Sequence, residues 1–280
     1  MNDTLRKIGI WYNASKPGVQ DVVARLVRAW ESHGAQCVAA SPYGMRDDRS
    51  TDCFIGCELL CVVGGDGTLL SALDVAYEQD LSLLGVNMGR MGFLSEVQPD
   101  HLEMDIDQLV RGDYEIQPRM LLSASLEGGR GVALNEVAIS RTGSASGILS
   151  IEIEAGGILV DRFSGDGVIV ASATGSTAYS LSAGGPIVAP GMECMVITPV
   201  CPHTLHARPV VIPPDQPVTV RMLDAAESAR VVLDGRRSMM FDEQNGQLTI
   251  TRAPKDIRFV QLHQRNFFDL LRNKLSDWTH

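Results

Sequence analysis

Leu59-Leu60-Cys61-Val62-Val63-Gly64-Gly65-Asp66-Gly67-Thr68-Leu69-Leu70-Ser71-Ala72-Leu73 is the stretch on which the reading of this chain turns. Its first five residues are an unbroken apolar run, the pattern of a strand buried in a parallel sheet. From Leu69 to Ala76 the apolar residues fall at helical spacing. A chain that passes sharply from strand to helix aims backbone N–H groups into the turn, and the helix dipole adds partial positive charge there. Gly64, Gly65 and Thr68 are therefore expected to meet phosphate, glycine allowing the backbone to approach without a Cβ in the way. Asp66 is the anomaly, because a carboxylate repels a bare phosphate. It either works with a cation or takes a proton from the substrate, and both point to phosphate chemistry. The simpler alternative is an ordinary βα turn in which Asp66 caps its helix.

Outward from this turn, the first hundred residues alternate strand and helix. Ile8–Tyr12 reads as the first strand. Gln20–His33 is a helix with Val22, Val23, Leu26, Val27 and Trp30 on one face, stopped at Gly34. Gln36–Ala39 is a second strand, Tyr43–Thr51 a mobile surface loop, and the helix after the glycine turn runs to about Tyr77. Ser82–Asn87 is a further strand feeding a second flexible turn, Met88–Leu94. The expected fold is an α/β domain with a parallel, Rossmann-like sheet, its ligands beyond the carboxyl ends of the strands. After Pro118 the texture changes to short β-like segments: Leu121–Leu126, Val132–Ile139, Ile148–Ile153, Val168–Ala171, Val196–Thr198, Val218–Met222, Val231–Leu233 and Leu248–Thr251. These predict an all-β C-terminal domain. The expected divisions are 1–116, 117–258, and a tail helix in 259–280 that packs back on the first domain.

Composition narrows the partners. The net charge of −10 argues against nucleic acid, which needs a basic surface. No apolar run is long enough to span a membrane. The N-terminus leads straight into a strand, so a cytoplasmic protein is expected. Cys53, Cys57 and Cys61 recur every fourth residue, but without paired zinc spacing; buried, reduced thiols are expected and no metal is assigned to protein ligands.

Three further segments carry candidate chemistry. Asn135-Glu136 places an amide and a carboxylate in an apolar run, where they could bond sugar hydroxyls or a base amide. Neighbours on a strand point to opposite faces, so both can serve one ligand only if the chain bends there. Residues 164–186 join Asp166-Gly167 to Thr174-Gly175-Ser176-Thr177-Ala178-Tyr179-Ser180-Leu181-Ser182, a run of small and hydroxyl residues around one aromatic. Tyr179 could stack on a planar ring while Asp166 accepts from an exocyclic amine. A plain Ser/Thr-rich turn is the competing view. His203, between Pro202 and a downstream Pro209, reads more readily as part of a rigid corner than as a catalyst.

Taken together, GGDGT, Asn135-Glu136, GDG…TGSTAYSLSAGGP and TPVCPH…RPVV resemble the NAD kinase family, and the resemblance spans nearly the whole chain. It implies a phosphofructokinase-like α/β domain, a β-rich domain and a site in the cleft they share. Asp66 would be the catalytic aspartate. Gly67, Phe93, Asn135, Glu136, Asp166, Thr174, Thr177, Ala178, Tyr179 and Ser182 would hold the dinucleotide. The family usually has Pro-Ser where this chain has Ala173-Thr174, and commonly a basic residue where Ser164 stands. The region after Asp234 varies within the family. The implied reaction phosphorylates the adenosine 2′-hydroxyl of NAD, with ATP or polyphosphate as donor. Mg²⁺ or another divalent cation would arrive with ATP, and the resemblance suggests a homodimer or homotetramer. Two rivals remain open: a lipid kinase with a similar glycine turn, which would want a membrane-facing surface, and a regulator that binds NAD without turnover.

Overall fold

The computed structural model describes residues 5–41, 48–89, 92–142, 148–223, 228–242, 246–263 and 266–277. The chain divides into two units, Met1–Pro118 with Ile257–His280, and Arg119–Asp256. The first unit runs β1 (Lys7–Tyr12), α1 (Val19–Ser32), β2 (Gln36–Ala40), β3 (Leu59–Gly64), α2 (Asp66–Ser71), α3 (Leu73–Glu78), β4 (Ser82–Asn87), α4 (Leu102–Val110) and β5 (Glu115–Arg119). Strands β1 to β4 pair in parallel, β3 lying between β1 and β4. Every residue of β3 is buried, as an apolar run in the middle of a parallel sheet requires. Helix α1 buries Val19, Val22, Val23, Leu26 and Trp30, and Gly34 follows at φ +82°.

Two expectations need correction here, and one element is new. The helix after the glycine turn is broken: α2 stops at Ser71 and α3 begins at Leu73. The Ser71 hydroxyl accepts from the Trp11 indole and donates back to the Thr68 carbonyl, a bond that competes with the helical ladder. Of the expected mobile loop, residues 43–47 lie outside the described residues, but Asp48–Phe54 is a 3₁₀ helix. Phe54 orders it, fully buried with its ring 5.8 Å from that of Trp11. Helix α4 was not foreseen; its buried Leu102, Ile106 and Leu109 are interleaved with acidic residues that dilute the apolar signal.

The second unit holds β6 (Leu122–Leu126), β7 (Gly129–Ala133), β8 (Glu136–Arg141), β9 (Leu149–Ala155), β10 (Ile158–Gly165), β11 (Gly167–Ser172), a single helical turn α5 (Tyr179–Ser182), β12 (Met195–Val200), β13 (Val210–Ile212), β14 (Val218–Met222), β15 (Ala229–Leu233), β16 (Arg237–Phe241) and β17 (Leu248–Arg252). They form two six-stranded sheets, β10-β9-β14-β17-β6-β7 and β13-β12-β11-β8-β15-β16. Both are built from antiparallel pairs. Alternate residues such as Ile151, Ile153, Val168, Val170, Val218, Val220, Val231 and Ile250 fill one core. The expected single strand Val132–Ile139 is two strands, interrupted at Leu134-Asn135.

The chain then returns to the first unit. β18 (Ile257–Gln261) pairs in parallel with β4 and lies between β4 and β5 in a sheet ordered β2-β1-β3-β4-β18-β5. Helix α6 (Phe267–Asp277) follows.

Candidate active site

Strand β3 ends at Gly64 and α2 begins two residues later at Asp66. Asp66 does not cap its own helix, which has no side-chain capping bond, so the simpler alternative fails. Its carboxylate instead reaches the turn after β4. The Phe93 N–H donates to Oδ2 at 2.9 Å, and the Leu94 N–H lies 3.4 Å from Oδ1. The Ser95 hydroxyl is also 3.4 Å from Oδ1. Gly92 permits this: a Cβ there would lie 1.9 Å from Oδ1. A carboxylate has about four lone-pair sites. These contacts use three at most, and Asp66 is half-buried, so it keeps capacity to accept from a hydroxyl. Gly67 is exposed, whereas Thr68 is buried and its N–H donates to the Gly65 carbonyl at 2.9 Å. Phe93 is half-buried, its ring 6.4 Å from that of Phe267. Arg90 and Met91, within the expected flexible turn, lie outside the described residues.

In the second unit the break between β7 and β8 is held by Asp234. Its carboxylate receives three consecutive backbone N–H groups: Leu134 at 2.8 Å, Asn135 at 2.8 Å and Glu136 at 3.0 Å. Asp234 itself adopts φ +48° and returns its own N–H to the Glu136 carbonyl at 3.0 Å. The chain thus bends where Asn135 and Glu136 meet, the condition for both to serve one ligand. From the other side, the Asn135 carbonyl accepts from the Ser172 N–H at 2.8 Å. A Cβ on Gly175 would lie 1.9 Å from that same carbonyl, so the 174–177 turn sits directly on the bend.

This packing makes the bend electrostatically unusual. Glu136 is buried, and burial together with the nearby Asp234 pushes its carboxyl up to about 7, against the Tyr179 N–H that donates to it. Among the described residues its Oε2 has no hydrogen-bond partner. Burial also raises the Asp234 carboxyl, opposed by its N–H donors and by Arg236, whose Nη2 lies 3.6 Å away.

The bend therefore gathers Asn135 and Glu136 with the segment that carries Thr174, Thr177, Ala178 and Tyr179. Thr174 is buried, Thr177 and Ala178 are half-buried, Tyr179 is 46% exposed, and Ser182 is exposed. Asp166 stands at the other end of β11 from Thr174. It precedes β11, whereas Thr174 follows the same strand, roughly 17 Å further along at the usual rise. Asp166 pairs there with Arg141 at 3.0 Å. Beyond Thr174 the chain doubles back along the sheet: the Ser180 hydroxyl lies 2.9 Å from that of Thr198, which pairs with Ile169, three residues from Asp166. His203 has an exposed side chain, and its backbone N–H donates to the Ser164 carbonyl at 2.8 Å, as a structural corner would.

Residues the sequence reading missed are Gly92, Ser95 and Asp234. Asp234-Gly235 is a turn dipeptide that could have flagged the last. Among the described residues no group of three or more His, Cys, Asp or Glu could hold a metal ion. The donor set at Asp66 is one carboxylate already engaged by amides. Alone it does not suit a protein-held cation. Among the described residues, no helix is long and apolar enough to cross a membrane.

The family models for the ATP-NAD kinase N-terminal and C-terminal domains match residues 8–114 and 134–262. An NAD kinase of Geotalea daltonii is 36% identical, the match covering 97% of this chain and 99% of that one. One of Desulforamulus reducens is 40% identical over 79% of this chain and 78% of its own. Among solved structures, an NAD kinase from Archaeoglobus fulgidus in complex with ATP superposes with a TM-score of 0.78 at 27% identity, covering 95% of this chain and 98% of that one. Yeast NADH kinase complexed with NADH shares the fold, with a TM-score of 0.86 at 21% identity, covering 98% of this chain and 89% of its own.

Proposed function

This chain belongs to the NAD kinase family, and we propose that it transfers the terminal phosphoryl group of ATP to the adenosine 2′-hydroxyl of NAD, giving NADP. The observation that carries the chemistry is Asp66, a half-buried carboxylate held by the amides of Phe93 and Leu94 at the head of a glycine turn. A ribose hydroxyl is a poor nucleophile at neutral pH. Asp66, accepting its hydrogen bond, orients it and takes its proton as the new bond to the γ-phosphorus forms and the bond to the bridging oxygen breaks, releasing ADP. Gly64, Gly65 and Thr68 surround the phosphates of the donor, and the backbone of the turn offsets the charge that develops. ATP enters as its complex with Mg²⁺ or a similar divalent cation, which is part of the substrate.

The second unit supplies recognition. Asn135 and Glu136 take sugar or base hydrogen bonds at the bend, where Glu136 Oε2 has no partner among the described residues. Tyr179 offers a face for stacking, flanked by Thr174, Thr177, Ala178 and Ser182. Gly67 and Phe93 line the substrate on the first unit. Asp166, at the start of β11, accepts from an exocyclic amine of the ligand in the same reading. Assembly as a homodimer or homotetramer is part of the proposal, supported by exposed apolar residues on the outer strands β10 (Ile158, Leu159) and β13 (Val210, Val211).

The test is Asp66→Asn, which keeps an oxygen to accept from the Phe93 or Leu94 amide but is no base. NAD binding measured by calorimetry is expected to persist while NADP formation falls by roughly 10²–10⁴-fold. Undiminished turnover would remove Asp66 from the chemistry. A purified protein that binds NAD yet makes no NADP with ATP or polyphosphate would leave only the regulator reading.

A further inference from the structure

The amides that aim Asp66 belong to a turn that needs something to hold it. Phe93 and Leu94 lie on no strand or helix. Beyond them the chain is tied back to β4, where the Glu96 and Val97 N–H groups both donate to the Gly85 carbonyl at 2.9 Å. Before them, the Asn87 side chain closes on Gly89 through two bonds of 2.7 and 3.2 Å.

Further ties come from the far end of the chain. Glu96 Oε1 accepts from the N–H groups of Leu262 at 3.2 Å and His263 at 2.8 Å, immediately after β18. The Phe93 ring rests against Phe267, the first residue of α6. Asn266 steadies that helix start by accepting from the Phe268 N–H at 2.9 Å. Since β18 is itself fixed to β4 in the sheet, the segment after it is anchored behind and touches the turn at two points, residues 93 and 96.

The geometry points to Glu96 and Phe267 as positioning residues: the C-terminal segment braces the 92–96 turn and thereby fixes the direction of the Asp66 carboxylate. This inference rests on the reading of Asp66 as the group that receives the hydroxyl proton. Its chemical logic is that of pre-organisation. A base must sit within hydrogen-bond reach of its proton, and small misplacement costs large factors in rate. Neither Glu96 nor Phe267 needs to touch a substrate to matter.

The experiment uses the full chain and two readouts. The first is amide hydrogen exchange by NMR in Glu96→Ala and Phe267→Ala, with Glu96→Gln and Phe267→Leu as conservative partners. Exchange at Phe93 and Leu94 is expected to speed by about 10-fold or more in the alanine variants, while the amides of β3 are unchanged. Glu96→Gln, which keeps a carbonyl oxygen for both N–H groups, and Phe267→Leu, which keeps apolar contact, should restore most of the protection. Unaltered exchange at residues 93 and 94 in both alanine variants overturns the brace.

The second readout is turnover in a double-mutant cycle. Each alanine variant is expected to lower kcat by about 10-fold or more when Asp66 is present, and by less than about 2-fold in an Asp66→Asn background. Equal losses in the two backgrounds mean a general structural role and sink the inference. If Asp66→Asn alone retains full turnover, the functional reading fails instead, and the exchange data still decide whether the brace exists.

Discussion

Replacing Asp234 tests whether one buried carboxylate sets the bend that carries Asn135 and Glu136. In Asp234→Ala, the N–H groups of Leu134, Asn135 and Glu136 lose their acceptor at once. Leu134 is fully buried and Glu136 nearly so, so water cannot readily replace it. An unsatisfied buried polar group costs about 1–3 kcal/mol. Three of them, less the relief of no longer burying a carboxylate, give a loss of about 3–5 kcal/mol.

Asp234→Asn separates geometry from charge. Oδ1 serves Asn135 and Glu136 and can remain an oxygen, while the amide nitrogen then faces the Leu134 N–H where Oδ2 stood. One bond becomes a donor–donor contact, for about 2 kcal/mol. At roughly 2–4 °C per kcal/mol for a unit of this size, the alanine variant should melt about 10 °C lower and the asparagine variant about 5 °C lower. The assay is differential scanning calorimetry beside tryptophan fluorescence. Trp11, Trp30 and Trp278 all lie outside 119–256, so fluorescence follows the first unit while calorimetry follows both. The expected loss is in calorimetry, with NAD affinity weakened in both variants. An alanine variant that melts within about 2 °C of the parent would refute the clamp.

Two other outcomes follow from the same contacts. Glu136, raised to about 7 in the fold against an ordinary carboxyl, holds its proton longer when folded than when unfolded. Its contribution to stability is therefore greatest below the ordinary carboxylate range, falls as pH rises towards about 7, and levels above that; urea titrations at several pH values should show this slope, flattened in Glu136→Gln. In Gly92→Ala the new methyl would collide with Asp66 Oδ1. NADP formation should drop by about 10²-fold while the melting temperature moves little, because the residue lies in a turn outside the main core.

Local signals carried much of this architecture. β3 and its glycine turn were readable because a fully buried parallel strand is apolar throughout, and because Gly64 leaves no room for a Cβ, which would lie 2.3 Å from Thr68 Oγ1. The short strands of the second unit were readable from alternation and turn residues, although β10 escaped notice because Asp161 and Arg162 interrupt its apolar pattern. The partners that give the site its geometry were not legible. Asp66 meets main-chain amides 27 and 28 residues away, and Asp234 meets others 98 to 100 residues away. Every residue but proline presents an N–H, so such a bond leaves almost no mark on sequence.

The return of β18 has a bearing on biosynthesis. A ribosome releases residues 1–118 long before it reaches 257–261, so the nascent sheet waits with the outer edge of β4 unpaired and its neighbour in the final order still unmade. Arg119–Asp256, continuous in sequence, has no such dependence and is complete as soon as it emerges. The portion translated first is therefore the last to close, and a stalled or truncated product ending before Ile257 exposes an open strand edge of the kind that invites aggregation.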